Sequence, residues 1–483
     1  MRLKKPLLII SFVLIAEGLS YLLCVPFAIH FHESLKPFVL PASIILVIGS
    51  SIFLASDKSF KIISDKTGNR QLIITIFLSW LVFILAGTLP FLTSKTNSSF
   101  IDALFESTSG YTTTGSSVLN NIGQLPESII FWRSLTQWVG GLATIVTITT
   151  FFPILDIGGY RLFSFGKLPV FNTRLFILRI SLIYVFLTVI QTTILYLEDI
   201  GLFNSLCYSF GTVSTGCFSP GDTNISSFSP FVPSTLAFFM FLSGVSYLFY
   251  YRLIYKKLRF KKVEEELKVY IILIVIGVLL VIWGMHGAHP ENGFLDTTRK
   301  ALFQVISVVS SSGYLIADYS VFPDIILTIL FFYLFIGACS NTSAGGIKIS
   351  RLIILFRNIW LQFKNPNSPE NTSGIKYNGC RIDTKTNLSV LSFISLFGTT
   401  FVFGAIAMSF FGYGLKESAF LSISALSTLG HNLDLSQLPD AGKIILTLLM
   451  ILGKLEIYPL LIMFIPQFYR KDQLINNESH AEK

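Results

Sequence analysis

The stretch FIDALFESTSGYTTTG, residues 100–115, decides the fold because three further stretches of the chain repeat its pattern. They are GLFNSLCYSFGTVSTG (201–216), TTRKALFQVISVVSSSG (297–313) and LKESAFLSISALSTLG (415–430). Each begins with a mixed apolar segment, becomes rich in small and hydroxyl residues, and closes on a glycine. Copies spaced by about 100 residues indicate one structural unit that is used four times.

The chain around these copies has the composition of an integral membrane protein. Of its 483 residues, 52% are hydrophobic and 13% are charged, whereas a soluble domain carries about 25% charged residues. Apolar segments long enough to cross a bilayer as helices lie at 7–29, 38–56, 71–93, 129–153, 175–197, 231–255, 269–285, 325–347, 387–411 and 443–466. The first exceeds the apolar part of a signal peptide, so we expect a retained spanning helix.

The charges of the connecting loops predict the orientation of these ten spans. Lysine and arginine cluster in the loops after the second, fourth, sixth, eighth and tenth spans, while the opposite loops carry mainly acids. The positive-inside rule then places both termini in the cytoplasm. This topology accounts for the net charge of +9 without nucleic-acid binding. The five cysteines are scattered and predict neither a disulfide framework nor a zinc site.

Alignment of the four copies on their last glycines brings hydroxyl residues together. The glycines are Gly115, Gly216, Gly313 and Gly430; one residue earlier stand Thr114, Thr215, Ser312 and Leu429, and two residues earlier stand Thr113, Ser214, Ser311 and Thr428. Small residues also pack helices together or form turns. Four copies on one side of the membrane, each between two spans, favour instead a spanning helix, a re-entrant helix, a glycine-ended strip and a second spanning helix.

Such a strip suits a dehydrated cation. Non-helical backbone survives at membrane depth only where it lines a wet cavity or is buried in protein. Four strips around one axis would form a ring of carbonyl oxygens that replaces the water shell of a cation. The preceding short helices would direct their partly negative C-terminal ends at it. This chemistry favours a monovalent cation, and potassium is the ion we expect.

The eighth predicted span contains GACSNTSAGGIK, residues 337–348, which is dominated by small residues. Two readings are open: close packing of an intact helix against a neighbour, or a break that forms a movable loop under the strips. We favour the loop. The candidate gate residues in it are Gly337, Ser340, Asn341, Thr342, Ser343, Gly345 and Gly346.

Lys454 lies near the middle of the last span, IILTLLMILGKLEIYPLLIMFI (444–465). It either pairs with an acid inside the protein or faces a watery pathway, where its charge would raise a barrier to cations. Glu456 is a poor partner if both residues share one helix, because side chains two residues apart point in different directions.

Five motifs together resemble the TrkH/KtrB superfamily of potassium transporters: FESTSGYTTTG (105–115), FWRSLTQWVGGL (131–142), TVSTG (212–216), GACSNTSAGGIK (337–348) and GKLEI (453–457). The resemblance covers essentially the whole chain and is closest to the TrkH-like branch. It implies an all-α polytopic protein with four helix–pore-helix–helix repeats around a central pore, plus two extra N-terminal helices. It also implies potassium bound by backbone oxygens of residues 113–115, 214–216, 311–313 and 428–430.

The resemblance further implies a homodimer in the bacterial inner membrane, surrounded by lipid, with a cytoplasmic nucleotide-binding regulatory subunit (TrkA-like). No nucleotide motif and no other cofactor site occurs in this chain itself. The expected domains are an N-terminal two-helix domain (1–66), pore repeats at 67–160, 161–262, 263–364 and 387–472, a cytoplasmic linker (365–386) and a C-terminal tail (473–483).

Four residues at three sites depart from the family pattern. Cys217 replaces a glycine, His431 and Asn432 replace Pro-Gly, and Lys454 replaces an arginine. With one glycine per strip, we expect only a moderate preference for potassium over sodium. The leading function is channel-like potassium uptake driven by the membrane potential, and the alternative is a symporter coupled to Na⁺ or H⁺. The chain shows no catalytic constellation, so we do not expect an enzyme.

Overall fold

The computed structural model describes residues 4–56, 69–94, 96, 99–119, 121–155, 159, 173–221, 225–255, 264–288, 293–316, 322–364, 375–431 and 433–463. Within them the regular secondary structure is helical except for one hairpin, formed by β1 (Lys376–Tyr377) and β2 (Cys380–Arg381), which pair antiparallel. The predicted all-α polytopic fold is confirmed. The C-terminal tail, Asn432 and most of the basic loops used to predict the orientation lie outside the described residues.

Two helices precede the first copy of the repeated pattern, α1 (Lys4–His30) and α2 (Lys36–Ala55). They pack closely, since a Cβ built on Gly18 would lie 2.6 Å from Cγ of Leu46. Val47 and Leu54 on α2 are 66% and 69% exposed, which is the arrangement expected of a helix whose outer face meets lipid.

Four groups of helices follow with the same order of long and short elements. The first contains α3 (Asn69–Gly87), α4 (Leu89–Thr93), α5 (Phe100–Tyr111), α6 (Glu127–Val146) and α7 (Phe152–Leu155). The second contains α8 (Thr173–Leu197), α9 (Leu202–Val213), α10 (Phe231–Ser243) and α11 (Tyr247–Tyr255). The third contains α12 (Glu265–Ala288), α13 (Phe294–Val309), α14 (Asp324–Ile336) and α15 (Ile349–Lys364). The fourth contains α16 (Thr384–Ser409), α17 (Leu415–Leu426), α18 (Asp440–Lys454) and α19 (Tyr458–Ile462). Short 3₁₀ turns lie at Ile122–Gln124 and Ile225–Ser227.

The short helices α5, α9, α13 and α17 lie where the repeated pattern predicts re-entrant elements. They have 12, 12, 16 and 12 residues, whereas about 20 are needed to cross the hydrocarbon core. The last seven residues of α5 are all buried. Helix α5 begins where the Ser99 hydroxyl accepts a hydrogen bond from the Asp102 amide at 3.1 Å, which satisfies one donor of the helix N-terminus.

The later helices of the four groups are interrupted. Helix α6 passes into a π-helical turn at Thr147–Phe151, and α10 and α11 meet at a bend of 83°. The 337–348 loop separates α14 from α15, and α18 ends at Lys454. Among the described residues, six helices are long and apolar enough to cross a membrane, or seven if the bent pair is one span. The predicted spans 129–153, 231–255 and 443–466 are therefore not single regular helices, whereas the break in 325–347 is the one favoured from its small residues.

The end of α18 explains why Glu456 does not pair with Lys454. Beyond Lys454 the chain leaves the helix, with φ of 65° at Glu456 and 36° at Ile457. Positive φ is unusual for a β-branched residue such as isoleucine. Glu456 therefore does not share a helix with Lys454, and its carboxylate reaches the guanidinium of Arg351 on α15 at 2.7 Å.

We predict that Gly453→Ala destabilises the fold while Gly398→Ala does not. A Cβ on Gly453 would lie 2.0 Å from the Leu426 carbonyl oxygen at the end of α17, whereas nothing lies within 4 Å of a Cβ on Gly398. Overpacking against backbone costs about 1–3 kcal/mol, while Gly to Ala in an open helix interior gains about 0.5–1 kcal/mol. Melting temperatures in detergent measure both; equal melting temperatures would contradict the close approach of α17 and α18.

Candidate functional site

Each of the four short helices ends in the same backbone turn. Its first residue has positive φ: Thr113 (56°), Thr215 (58°), Ser311 (59°) and Thr428 (48°). The amide of this residue donates to the carbonyl three residues earlier, at 2.8, 3.1, 3.0 and 3.3 Å, and the next amide donates to the carbonyl five residues earlier, at 2.9, 2.8, 2.9 and 3.0 Å. These are the two bonds of the Schellman motif that closes a helix C-terminus.

The residues at the positive-φ position are themselves informative. Glycine is the usual occupant, because a side chain is strained there. All four turns carry threonine or serine instead, and all four side chains are buried. A hydroxyl retained against backbone strain indicates that its oxygen has a role at this position.

The turns correct the alignment of the second copy by one residue. The hydrogen bonds match Thr215 with Thr113, Gly216 with Thr114 and Cys217 with Gly115. Ser214, which the glycine alignment paired with Thr113, is the C-cap of α9 and matches Thr112, Ser310 and Ser427. The glycine was a poor marker because the register is set by where each helix ends. We call the four turns 113–115, 215–217, 311–313 and 428–430.

A serine two residues before the end of three short helices supports the turn that follows. The Oγ of Ser109 donates to the Ser116 carbonyl at 2.6 Å, and the Oγ of Ser307 donates to the Tyr314 carbonyl at 2.7 Å. Ser424 donates to the carbonyl of Leu429, which lies within the fourth turn. The second copy has Gly211 at this position.

The hydroxyl of Tyr314 fills the space that a side chain at Gly211 would need. A Cβ on Gly211 would lie 2.2 Å from that hydroxyl oxygen. The same hydroxyl donates to the Phe218 carbonyl at 3.3 Å. The residue after the third turn thus supports the second turn.

The third residues of the turns converge. Cys217 Sγ lies 2.0 Å and 1.9 Å from the positions that a Cβ would take on Gly115 and Gly430, and 3.2 Å from that on Gly313. Its thiol donates to the Thr114 carbonyl at 3.1 Å. The first, third and fourth turns therefore have glycine, without a side chain, as their third residue. The side chain of Cys217 from the second turn lies among these three glycines.

Helix α6 holds the first two turns from one side. Gln137 Oε1 accepts from the Phe218 amide at 3.1 Å, and the Arg133 guanidinium lies 4.0 Å from the centre of the Phe218 ring. Arg133 Nε also pairs with Glu106 Oε2 at 3.3 Å. The other oxygen of Glu106 accepts from the Ser117 hydroxyl and the Val118 amide at 2.6 and 2.8 Å.

The roles of Arg133 and Gln137 were missed in the sequence. The motif FWRSLTQWVGGL was recognised, yet no role followed for its polar residues. Arg133 and Gln137 are four residues apart and lie on one face of α6, and both are at most 1% exposed. Two large polar side chains at this spacing within an apolar helix were the available signal.

The 337–348 loop contacts the opposite ends of the turns. The hydroxyls of Ser343 and Thr215 are 3.0 Å apart. A Cβ on Gly345 would lie 2.1 Å from the Ser427 carbonyl oxygen, so only glycine allows the loop so close to the fourth turn. The predicted gate residues of this segment are all buried and non-helical. The segment is therefore a loop and not an intact helix that packs through small residues.

Lys454 joins the loop to the first turn. Its ammonium group donates to Thr113 Oγ1 and to the Ser343 carbonyl, each at 2.6 Å, and the residue is 3% exposed. Within the described part of the chain Lys454 makes no ion pair with an acid, whereas Glu456 pairs with Arg351. Lys454 therefore does not form the ion pair that was one of its two readings, and it lies beside Thr113, the first residue of the first turn.

Neutral oxygen atoms dominate the convergent site. The turns supply hydroxyl and carbonyl groups, and the described residues contain no group of three or more His, Cys, Asp or Glu side chains that could hold a metal ion. Such a site suits a cation that binds weakly and exchanges its water shell for oxygen dipoles. It does not offer the carboxylates that hold a divalent ion tightly.

Comparison with known proteins gives a consistent answer. The model of the TrkH family, described as cation transport protein, matches residues 36–471. The chain is 30% identical over 446 residues to "Trk system potassium uptake protein TrkH" of Escherichia coli (strain K12), covering 88% of this chain and 90% of that protein. It is 28% identical over 460 residues to "Trk system potassium uptake protein TrkG" of the same strain, covering 91% and 93%. The crystal structure of "the Potassium Transporter TrkH from Vibrio parahaemolyticus" has the same fold, with a TM-score of 0.87, 24% identity and coverage of 97% of this chain and 100% of the other.

Proposed function

This chain belongs to the TrkH family of cation transport proteins, and from that membership we propose that it takes up potassium across the bacterial inner membrane through a pore lined by its four turns. It is a multi-pass membrane transporter and not an enzyme. The observation that carries the proposal is the shared Schellman turn at four helix ends whose third residues meet. The similar proteins named as potassium uptake proteins support the choice of ion.

The proposed filter consists of the turn residues. It keeps Thr113, Thr114, Gly115, Ser311, Ser312, Gly313, Thr428, Leu429 and Gly430 from the sequence analysis, keeps Thr215 and Gly216, and adds Cys217. Ser214 supports the turn as a helix cap. Backbone carbonyls and hydroxyls would replace the water around potassium, and the C-terminal ends of four short helices would favour a cation.

The proposed gate consists of Lys454 and the 337–348 loop. Both contact the first residues of the turns, at the end away from Cys217. A buried ammonium group beside the ion path raises the energy of a cation there. Lys454 is tied to the loop by its hydrogen bond to the Ser343 carbonyl and to the first turn by its hydrogen bond to Thr113, so movement of the loop and displacement of the charge would occur together.

Channel-like uptake is favoured over coupled symport. One positive charge that moves inward through about 100 mV releases about 2.3 kcal/mol, so potassium accumulation needs no second ion. Two carboxylates near the site, Glu106 and Glu456, are each engaged by a buried arginine. The alternative predicts that uptake into vesicles stops without a sodium or proton gradient.

The assembly is part of the proposal. We propose a homodimer in lipid, with both termini cytoplasmic, regulated by a nucleotide-binding (TrkA-like) subunit, with no cofactor besides bound potassium. The basis is the family resemblance together with the charge distribution of the loops. The domain boundaries given above remain predictions.

Ion flux through the purified chain in liposomes tests the proposed function. We expect K⁺ and Rb⁺ to permeate faster than Na⁺, and Na⁺ faster than Li⁺, because smaller ions lose more hydration energy than a ring of weak dipoles returns. Flux driven by a potassium gradient alone is expected. A ranking with Li⁺ at or above K⁺ would contradict the assignment of the filter.

We predict that Lys454→Ala increases potassium flux by about tenfold, the change that follows from removing about 1.4 kcal/mol from a barrier. The matched control is Lys416→Ala, because the Lys416 side chain is 93% exposed. Flux is measured in liposomes at equal protein density. Unchanged flux in folded Lys454→Ala would show that this charge does not face the ion path.

We predict that Cys217→Gly increases flux about twofold to tenfold, which corresponds to a barrier lowered by about 0.4–1.4 kcal/mol. Glycine removes the sulfur that lies among the three other turns and frees the Thr114 carbonyl. Cys24→Ala is the control, because it removes a buried thiol from α1. Equal flux in wild type and Cys217→Gly would mean that the thiol does not narrow the pore.

A further inference from the structure

Three consecutive glutamates, residues 264–266 at the start of α12, connect to three different parts of the molecule. Glu264 Oε1 accepts from the Arg252 guanidinium on α11 at 3.0 Å. Glu265 pairs with the Arg357 guanidinium on α15 at 2.9 Å. Glu266 Oε1 accepts from the amides of Ser340 and Ser350 at 2.6 and 3.2 Å. The last contact fixes the 337–348 loop and the start of the helix that follows it.

Glu266 is the one carboxylate among the described residues that bonds to the backbone of this loop. It is 3% exposed, and one oxygen of its carboxylate accepts hydrogen bonds from an amide within the loop and from an amide just after the loop. A carboxylate that accepts two amide bonds in a buried place forms stronger bonds than a neutral acceptor. Its loss leaves both amides without an acceptor unless the loop moves to reach water.

The hairpin 376–381 is attached to the same helix start. Its turn residues Asn378 and Gly379 have φ of 48° and 79°, the pattern of a tight two-residue hairpin. Asn378 Oδ1 accepts from the Glu265 amide at 2.9 Å, so the hairpin caps the N-terminus of α12. Arg357, the partner of Glu265, also donates to the Lys376 carbonyl.

These contacts form a short mechanical connection. The hairpin and Arg357 contact Glu265, and the next residue on the same helical turn holds the loop. A helix start moves as a unit, so a displacement of about 1 Å at Glu265 also acts at Glu266. The 2.6 Å bond to Ser340 would then exceed the length of an ordinary hydrogen bond.

We propose that Glu266 is the positioning residue that keeps the 337–348 loop against the four turns, and that the hairpin 376–381 controls it through Asn378, Arg357 and Glu265. This inference rests on the proposed function, because it assigns regulation to the same loop. The charge distribution of the loops predicts that the hairpin is on the cytoplasmic side, where a protein partner can reach it.

Potassium flux through the full chain in liposomes, without any partner protein, tests the role of Glu266. Glu266→Ala is expected to raise flux about fivefold to tenfold, the change in an equilibrium that follows from losing one charge-assisted hydrogen bond. Glu266→Gln keeps an acceptor oxygen and is expected to raise flux less. Asp324→Asn, whose side chain is 89% exposed at the start of α14, is the control and is expected to match wild type.

The direction of the change separates positioning from a merely structural role. A structural role predicts lower flux together with a lower melting temperature, whereas the proposal predicts higher flux even if the melting temperature falls. If Glu266→Ala does not fold, Glu266→Gln decides, and wild-type flux in that variant overturns the proposal. If wild type and Lys454→Ala conduct potassium while Glu266→Ala equals wild type, this inference fails and the proposed function stands. If no variant conducts potassium, both fail.

A double-mutant cycle tests the connection to the hairpin. Asn378→Ala is expected to change flux in the wild-type background and to have no further effect in Glu266→Ala, because the connection is already broken there. Multiplicative effects of the two changes, as expected of independent sites, would overturn the role of the hairpin.

Discussion

A helix that stops inside a membrane protein must find partners for its last carbonyls and for the amides that follow, because water does not supply them. Four helices of this chain stop in that way, and each returns two amides into its own last turn. The surrounding elements pack against these four helix ends. Helix α6 contacts the first two ends through Arg133 and Gln137. The 337–348 loop contacts the second and fourth ends from the other side, through Ser343 and Gly345.

Buried charges specify which helix groups are neighbours. A charge in an apolar environment is costly unless it is paired. The Arg351–Glu456 pair at 2.7 Å joins the third group to the fourth. Lys443 pairs with Asp102 at 2.6 Å and so joins the fourth group to the first, as does the hydrogen bond from Lys454 to Thr113. The last group therefore returns to the first, and these contacts complete the circuit of the four groups.

The parts of the fold that local rules determine could be predicted from the sequence. The hydroxyl residues before a glycine required a special turn, and the small residues at 337–348 indicated a break. The register of the second turn could not be predicted from its glycine, because it is defined by hydrogen bonds from two successive amides to carbonyls three and five residues earlier, and Cys217 occupies the position where the other turns have glycine. The end of α18 at Lys454 has neither proline nor glycine among the four residues that follow it, and the partner of Glu456 lies on another helix group.

The thiol of Cys217 has a consequence for how the sequence of such a protein can evolve. Its sulfur fits because the three facing positions have no side chain. In an assembly of four identical subunits the same substitution would occur four times, and the sulfur atoms would compete for one space. A single polypeptide that encodes each quarter separately can alter one of them and leave the other three intact. Fusion of the four units thus permits adjustments of one quarter at a time that a symmetric tetramer could not accommodate.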